Sequence, residues 1–192
     1  MVYTRDFAYL EEKLITHLSD DELYNVQRAY EVAEKAHTGQ RRDEGTAYIV
    51  HPVRVAVTLV DELDMYSPKL ICSALLHDVI EDSPTTRAEI AAGFGEEIAE
   101  IVWLLTKFED VSLAVYLEEI EAAHHTGAPI VKLCDRLDNL RFISHSPKLE
   151  KKYRYADTTE KYYLPMAQRT NAYLYRELNR ALDALKIALG SE

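Results

Sequence analysis

The chain has 192 residues, with 22 Lys and Arg against 33 Asp and Glu, for a formal net charge of −11. At about 100–200 residues per domain, residues 1–192 read as a single domain whose core is large enough to enclose a pocket. The acidic balance excludes a dedicated nucleic-acid binder, which carries a basic face, and 6 Gly with 6 Pro are too few for a loop-rich β sandwich.

Helical spacing dominates along the chain. Phe7, Leu10, Leu14 and Leu18 step by three or four residues and predict a first amphipathic helix. Ser19 followed by Glu22 is a capping box that starts a second helix running toward His37, with Gly39 as its stop. A polar loop, GQRRDEGTAY, comes next. His51-Pro52 opens a third helix with Val55, Leu59 and Leu63 on one face, and Ser67-Pro68 caps a fourth that runs through Leu75 and Leu76 until Ser83-Pro84. Thr86 and Glu89 form a second capping box before a short helix ending at Gly93. Ile98, Ile101, Val102 and Leu105 mark the next helix, from Glu96 to about Lys107, and Leu113, Leu117 and Ile120 mark another. Pro129 starts a helix through Ile130, Leu133, Leu137 and Leu140. Ser146-Pro147 starts a last stretch that Pro165 interrupts, and Leu174, Leu178, Leu182, Leu185 and Leu189 form a terminal amphipathic helix. No run alternates as a strand does, so the predicted fold class is all-α.

Cys72 and Cys134 lie in apolar runs and read as reduced core thiols, too few for a disulfide framework. The start, MVYTRDFAYLEEK, has no apolar signal region, and no stretch reaches the roughly 18 apolar residues of a membrane span. A cytoplasmic protein with no membrane partner is expected.

The sharpest local feature is LLHDVIED, residues 75–82. His77 and Glu81, and Asp78 and Asp82, stand four apart, so all four project from one side of a continuous helix. Three carboxylates and an imidazole so close call for a compensating cation, a divalent metal being the natural one. A solvated helix end explains the octet alone about as well. His51 begins an otherwise apolar helix, where a histidine is usually structural. Asp135 lies inside the apolar run IVKLCDRLDNL, where an acid is costly unless paired or metal-bound; Lys132 or Arg136 is the plain ion-pair partner. Asn139 shares the face of Asp135, and Asp138 is displaced from both. Together His51, His77, Asp78 and Asp135 make a set of two imidazoles and two carboxylates. Such nitrogen and oxygen donors without thiolate suit Mn, Fe or a six-coordinate Zn or Co. Four protein ligands leave two octahedral positions for water and substrate, which is a hydrolytic arrangement.

The segments AHTGQRRDEGTAYIVHP (36–52), ALLHDVIEDSPTT (74–86), FGEEIAEIVWLLTK (94–107), VKLCDRLDNLR (131–141) and TTEKYYLPMA (158–167) together resemble the metal-dependent His-Asp (HD) phosphohydrolase superfamily. Within it they are similar to the hydrolase domain of the Rel/Spo alarmone enzymes and the stand-alone small alarmone hydrolases. The resemblance covers about residues 25–170 and implies a compact HD-type helical bundle. It implies hydrolysis of guanosine 3′-diphosphate alarmones, ppGpp and pppGpp, to GDP or GTP and pyrophosphate by a metal-activated water, usually with Mn²⁺. It maps the metal ligands to His51, His77, Asp78 and Asp135, and the acids that handle water and leaving group to Glu81 and Asp82. It maps the guanine-packing loop arginine to Arg42 and the ribose-side asparagine to Asn139. Tyr48, Lys132 and Arg136 are further substrate-binding candidates, the last two as cations flanking the site. The synthetase and regulatory domains of long family members are not expected in these residues.

Three departures stand out. Asp43-Glu44 replaces the usual Lys and Ser of the family loop and predicts an acidic rim beside an anionic substrate. Ala47 replaces a proline, and Phe142 stands where a small polar residue often meets the base. The acidic rim and Phe142 keep open a phosphomonoesterase on NADPH or a nucleoside monophosphate; a second alternative, a non-catalytic alarmone-binding module, is opposed by the intact ligands and by Glu81 and Asp82, which binding alone would not need. The run Lys148, Lys151, Lys152 and Arg154 reads as a solvated helix face, and His37, His124 and His125 as structural or surface residues. A small-molecule nucleotide is the expected partner, and no oligomeric state is implied.

Overall fold

Local caps set most of the helix starts. In the computed structural model, which describes residues 6–190, α1 spans Phe7–Leu14 and α2 spans Asp20–Ala36 behind the Ser19–Glu22 capping box. The expected continuation of α1 to Leu18 is a turn instead, closed by the His17 and Leu18 amides on the Leu14 carbonyl. α3 runs Val50–Asp61 with Pro52 in its first turn, where a missing amide hydrogen costs nothing. α4 runs Pro68–Leu76, capped by Ser67. α6, Arg87–Phe94, follows the Thr86–Glu89 box, and Gly95 rather than Gly93 turns the chain into α7, Glu96–Leu105. α8 is Leu113–Ala122, α9 Ala128–Phe142, α10 Leu149–Thr158, α11 Leu164–Thr170 and α12 Ala172–Leu189. Among the described residues there is no strand, and no helix is long and apolar enough to cross a membrane.

One apolar core joins these helices. α9 is central, packing against α3, α4, α7, α8 and α12. Its start depends on Gly127, whose φ of +87° suits only glycine; a Cβ there would also meet Leu70 Cδ2 at 2.6 Å. Nine of the twelve residues of α3 are buried, His51 among them. The two helices that supply His51 and Asp135 are thus fixed by packing before any site chemistry is considered.

Two further expectations are corrected. LLHDVIED is not one helix: α4 stops at Leu76, and a separate turn, α5 (Val79–Asp82), begins after Asp78. The break is tertiary in origin, since Asp78 is held from outside the segment by Tyr48. Pro165 also does not interrupt its stretch. A π turn over Thr159–Tyr163 links α10 to α11, with the Leu164 amide donating to the Thr159 carbonyl five residues back. Widening the helix there relieves the clash between a proline ring and the carbonyl four residues earlier.

Candidate active site

The junction between α4 and α5 meets α3 and α9 at the floor of a pocket of about 270 Å³. His51, His77 and Asp78 present donor atoms that all lie within 4.8 Å of one another. Asp135 Oδ1 lies 3.2 Å from His51 Nε2 and 3.9 Å from His77 Nε2. Residues from three separate parts of the chain therefore converge, and all four expected ligands are together.

The His77 ring is fully buried and its Nδ1 donates to the Ala74 carbonyl at 2.8 Å. That bond fixes the tautomer and leaves Nε2 bare, facing the carboxylates. Nε2 has no hydrogen-bond partner. A buried acceptor without a donor is costly, and two imidazole nitrogens beside two carboxylates are the donor set of a divalent metal ion. The residues present fit such an ion. Electrostatics say the same. Burial disfavours an imidazolium, yet Asp78 and Asp135 outweigh it and push His77 up to about 9. Burial likewise opposes charge on Asp135, but Lys132, His51 and His77 hold it well below the usual carboxylate range. The cluster demands positive charge at its centre.

Two residues that sequence reasoning did not place in the site orient this floor. Asp138 accepts from His51 Nδ1 at 2.6 Å, which aims Nε2 at the cluster. Arg54 grips Asp138 with two bonds, at 2.7 and 3.0 Å, and its guanidinium carbon sits over the Phe142 ring, 3.6 Å from the centroid. Phe142 therefore supports the metal-side network and is absent from the pocket wall. The signal was available: Arg54 is the only charged residue between His51 and Val60, and Asp138 is a second acid in an apolar helix.

Above the floor, the wall carries Arg42, Tyr48, Glu81, Lys132 and Asn139. Tyr48 donates to Asp78 Oδ2 at 2.7 Å and stacks on His37 at 4.5 Å, so His37 is a buried support. Arg42 donates to Asn139 Oδ1 at 2.7 Å, and Asn139 donates to Asp135 Oδ1 at 2.5 Å, a chain from the loop to the floor. Lys132 Nζ lies 2.8 Å from Asp135 Oδ2. Glu81 Oε2 accepts the Lys107 amide at 2.9 Å. Desolvation by the surrounding chain, then the Asp78 charge, raises the Glu81 and Asp82 carboxyls, although both side chains stay exposed and solvent screening limits the effect. Asp82 does not line the pocket.

Arg136 is not brought to the pocket either. It is 6 % exposed. It donates to Thr159 Oγ1 at 2.8 Å, the Tyr155 carbonyl at 2.9 Å and Thr158 Oγ1, and lies between the Tyr155 and Tyr163 rings at 4.2 and 4.3 Å. It holds the π turn in place, and Tyr155 and Tyr163 line the pocket. The acidic rim is corrected too. Asp43 accepts from Ser146 Oγ at 2.9 Å, Lys148 Nζ at 2.9 Å and Lys151 Nζ at 2.7 Å. Glu44 lies 3.8 Å from Arg42 Nε and 3.6 Å from Arg54 Nη2. Both acids are compensated, and the basic run after Pro147 is in part the partner of Asp43.

Fold and floor define a class, the helical metal-centre domain with a His-Asp step at a helix junction. The HD-domain family model matches residues 29–172, and the chain belongs to that family. A guanosine-3′,5′-bis(diphosphate) 3′-pyrophosphohydrolase of Aquifex aeolicus is 36 % identical over 168 residues, which cover 84 % of this chain and 24 % of that protein. The bifunctional (p)ppGpp synthase/hydrolase SpoT of Escherichia coli is 34 % identical over 173 residues, 85 % of this chain and 24 % of that one. The chain thus spans about a quarter of the length of these relatives. A solved structure described as a metazoan ortholog of SpoT that hydrolyzes ppGpp superimposes with a TM-score of 0.76 at 23 % identity, covering 90 % of this chain and 98 % of the other. At that identity the likeness is one of fold.

Proposed function

We propose that this chain hydrolyses the 3′-diphosphate of guanosine tetra- and pentaphosphate, releasing pyrophosphate and returning GDP or GTP, with Mn²⁺ as its ion. The observation that carries the reading is the buried His77 Nε2, without a hydrogen bond and 3.2 Å from Asp78 Oδ2, clustered with His51 and Asp135 beneath a pocket lined by Arg41, Arg42, Lys107, Lys132 and Lys151. The names of the relatives supply the substrate class.

A divalent ion bound there lowers the pKa of a water and polarises a phosphoryl oxygen. The chain does the rest. His51, His77, Asp78 and Asp135 hold the ion, and Asp138 orients His51. Water adds to the phosphorus joined to the ribose 3′ oxygen, the bond to that oxygen breaks, and the oxygen takes a proton. Glu81, on the pocket wall with a raised carboxyl, receives the water's proton, and Asp82 relays behind it. Lys132 and Lys107 neutralise the departing pyrophosphate. Arg42, tied to Asn139 and lying 5.5 Å from the Tyr48 ring, offers a flat cation to the base. With Phe142 turned to Arg54, that residue no longer argues for a different base.

The test is product analysis. Purified protein with Mn²⁺ is incubated with ppGpp, pppGpp, NADPH and nucleoside monophosphates, and the products are separated. Pyrophosphate leaving in one piece is expected. Orthophosphate appearing first, or faster removal of the NADPH 2′-phosphate, moves the assignment to a monoesterase.

A further inference from the structure

Asp43 is a carboxylate in the wall of a pocket whose proposed ligand is a polyanion. Its position needs an explanation. Three donors from one short segment, Ser146 Oγ, Lys148 Nζ and Lys151 Nζ, converge on its two oxygens at 2.7–2.9 Å. A hydroxyl and two ammonium groups gathered on one anion form a donor set that equally suits a phosphoryl group. The two lysines are not locked. Lys148 is 66 % exposed and Lys151 29 %, while the Asp43 side chain is 17 % exposed. Asp43 sits in the loop between α2 and α3 and ties that loop to Lys151 at the start of α10. That loop also carries Arg41 and Arg42 and is closed by one isolated bridge, Arg41 to Ala47, around Gly45 at φ +88°. The three partners of the carboxylate all lie within residues 146–151, and none of them is a floor residue.

We infer that Ser146, Lys148 and Lys151 form an anion subsite for the non-scissile phosphates of the substrate, and that Asp43 is its resident plug, displaced when those phosphates arrive. The subsite rests on the proposed hydrolysis of a nucleotide carrying phosphates at both ends. Scissile phosphates lie at the floor, and the second phosphate group reaches the mouth. The plug makes the exchange selective. A ligand must bring enough charge to replace the carboxylate, so nucleotides with phosphates at one end alone gain nothing there. The exchange also leaves a free Asp43 that the arriving phosphates repel out of the pocket.

Two measurements test the inference separately from the hydrolytic reading. In metal-free protein, calorimetric titration with inorganic pyrophosphate reads anion binding without turnover. Asp43→Asn is expected to bind it about fivefold more tightly than wild type, most clearly at low salt, and Lys151→Ala is expected to remove that gain. In the Mn²⁺ enzyme, Asp43→Asn is expected to lower KM for guanosine tetraphosphate by about the same factor with kcat little changed. It leaves KM unchanged for guanosine 3′-diphosphate with a free 5′ hydroxyl. Unchanged or weaker pyrophosphate binding in Asp43→Asn overturns the plug, as does an equal KM change for both substrates, because the clasp is then a loop fastening only. Tighter pyrophosphate binding with no hydrolysis of any guanosine 3′-diphosphate keeps the subsite and sinks the hydrolytic reading instead.

Discussion

The floor and the mouth of the pocket are held by different kinds of bond. At the floor, charges are buried and each is gripped by a neighbour in the core: His77 by Ala74, His51 by Asp138, Asp138 by Arg54. At the mouth, Asp43 reaches Ser146, Lys148 and Lys151 through partly exposed side chains 103 to 108 residues further along. A charge pair in the interior interacts far more strongly than one near water, and it cannot be exchanged for solvent without a large desolvation penalty. The floor is therefore a preformed cage, while the mouth is a set of contacts that ligands can trade. On the proposed function, one region would set the chemistry and the other what enters.

The largest expected effect breaks the floor. Chelation of divalent ions is expected to reduce turnover to background, with recovery on adding Mn²⁺ in wild type and none in His77→Ala. An ion present at 100 times its dissociation constant stabilises the fold by about 2.7 kcal/mol, so the melting temperature should rise with Mn²⁺ in wild type alone. Next, Glu81→Gln keeps shape but removes the titrating group. Its kcat should fall by ~10²–10⁴ with metal content retained. Because desolvation, then the Asp78 charge, raises the Glu81 carboxyl, its basic form appears at a higher pH than that of a free glutamate. The rise of kcat with pH should therefore begin higher than for a free glutamate and flatten in Glu81→Gln.

Asp138→Asn probes the support of the floor without touching a ligand. Metal affinity, measured by chelator competition, should weaken by roughly 10–100-fold, and activity should return at high Mn²⁺. Loss of kcat that excess metal does not restore would assign Asp138 to the chemistry itself. The smallest kinetic effect is expected for Arg136→Met. Losing the donors to Thr158, Thr159 and the Tyr155 carbonyl should cost about 1–3 kcal/mol in denaturant unfolding, with KM close to wild type. A large KM change at unaltered stability would return Arg136 to the substrate.

What was legible in the sequence was local or chemically forced. Ser19–Glu22 and Thr86–Glu89 form their capping boxes because each uses contacts within one turn. His51, His77, Asp78 and Asp135 were readable because polar groups in apolar helices need a partner, and they do converge. The misread residues are those whose partner is remote. Helix spacing ran α4 through to Asp82, but Tyr48 holds Asp78 across 30 residues. Asp43 looked like bare negative charge until lysines a hundred positions away met it. Phe142 looked base-facing, yet Arg54 lies on it. Arg136 looked like a substrate cation because spacing along α9 does not say which side α10 covers.

The π turn at Thr159–Tyr163 has a consequence for how this chain can vary in length. Tyr155 and Tyr163 are eight residues apart, and eight residues of regular α-helix leave two side chains about 80° out of line. A turn widened by one residue brings them to within about 20°, so both rings close on the Arg136 guanidinium. Deleting any one residue between 159 and 163 would restore a regular helix and a normal hydrogen-bond ladder. Tyr163 would then stand seven residues from Tyr155, still within about 20° of it, so α11 and everything beyond would keep its direction relative to α10. The segment should therefore tolerate the loss of one residue, whereas the same loss from the regular turns of α11 would rotate the residues beyond it by about 100°.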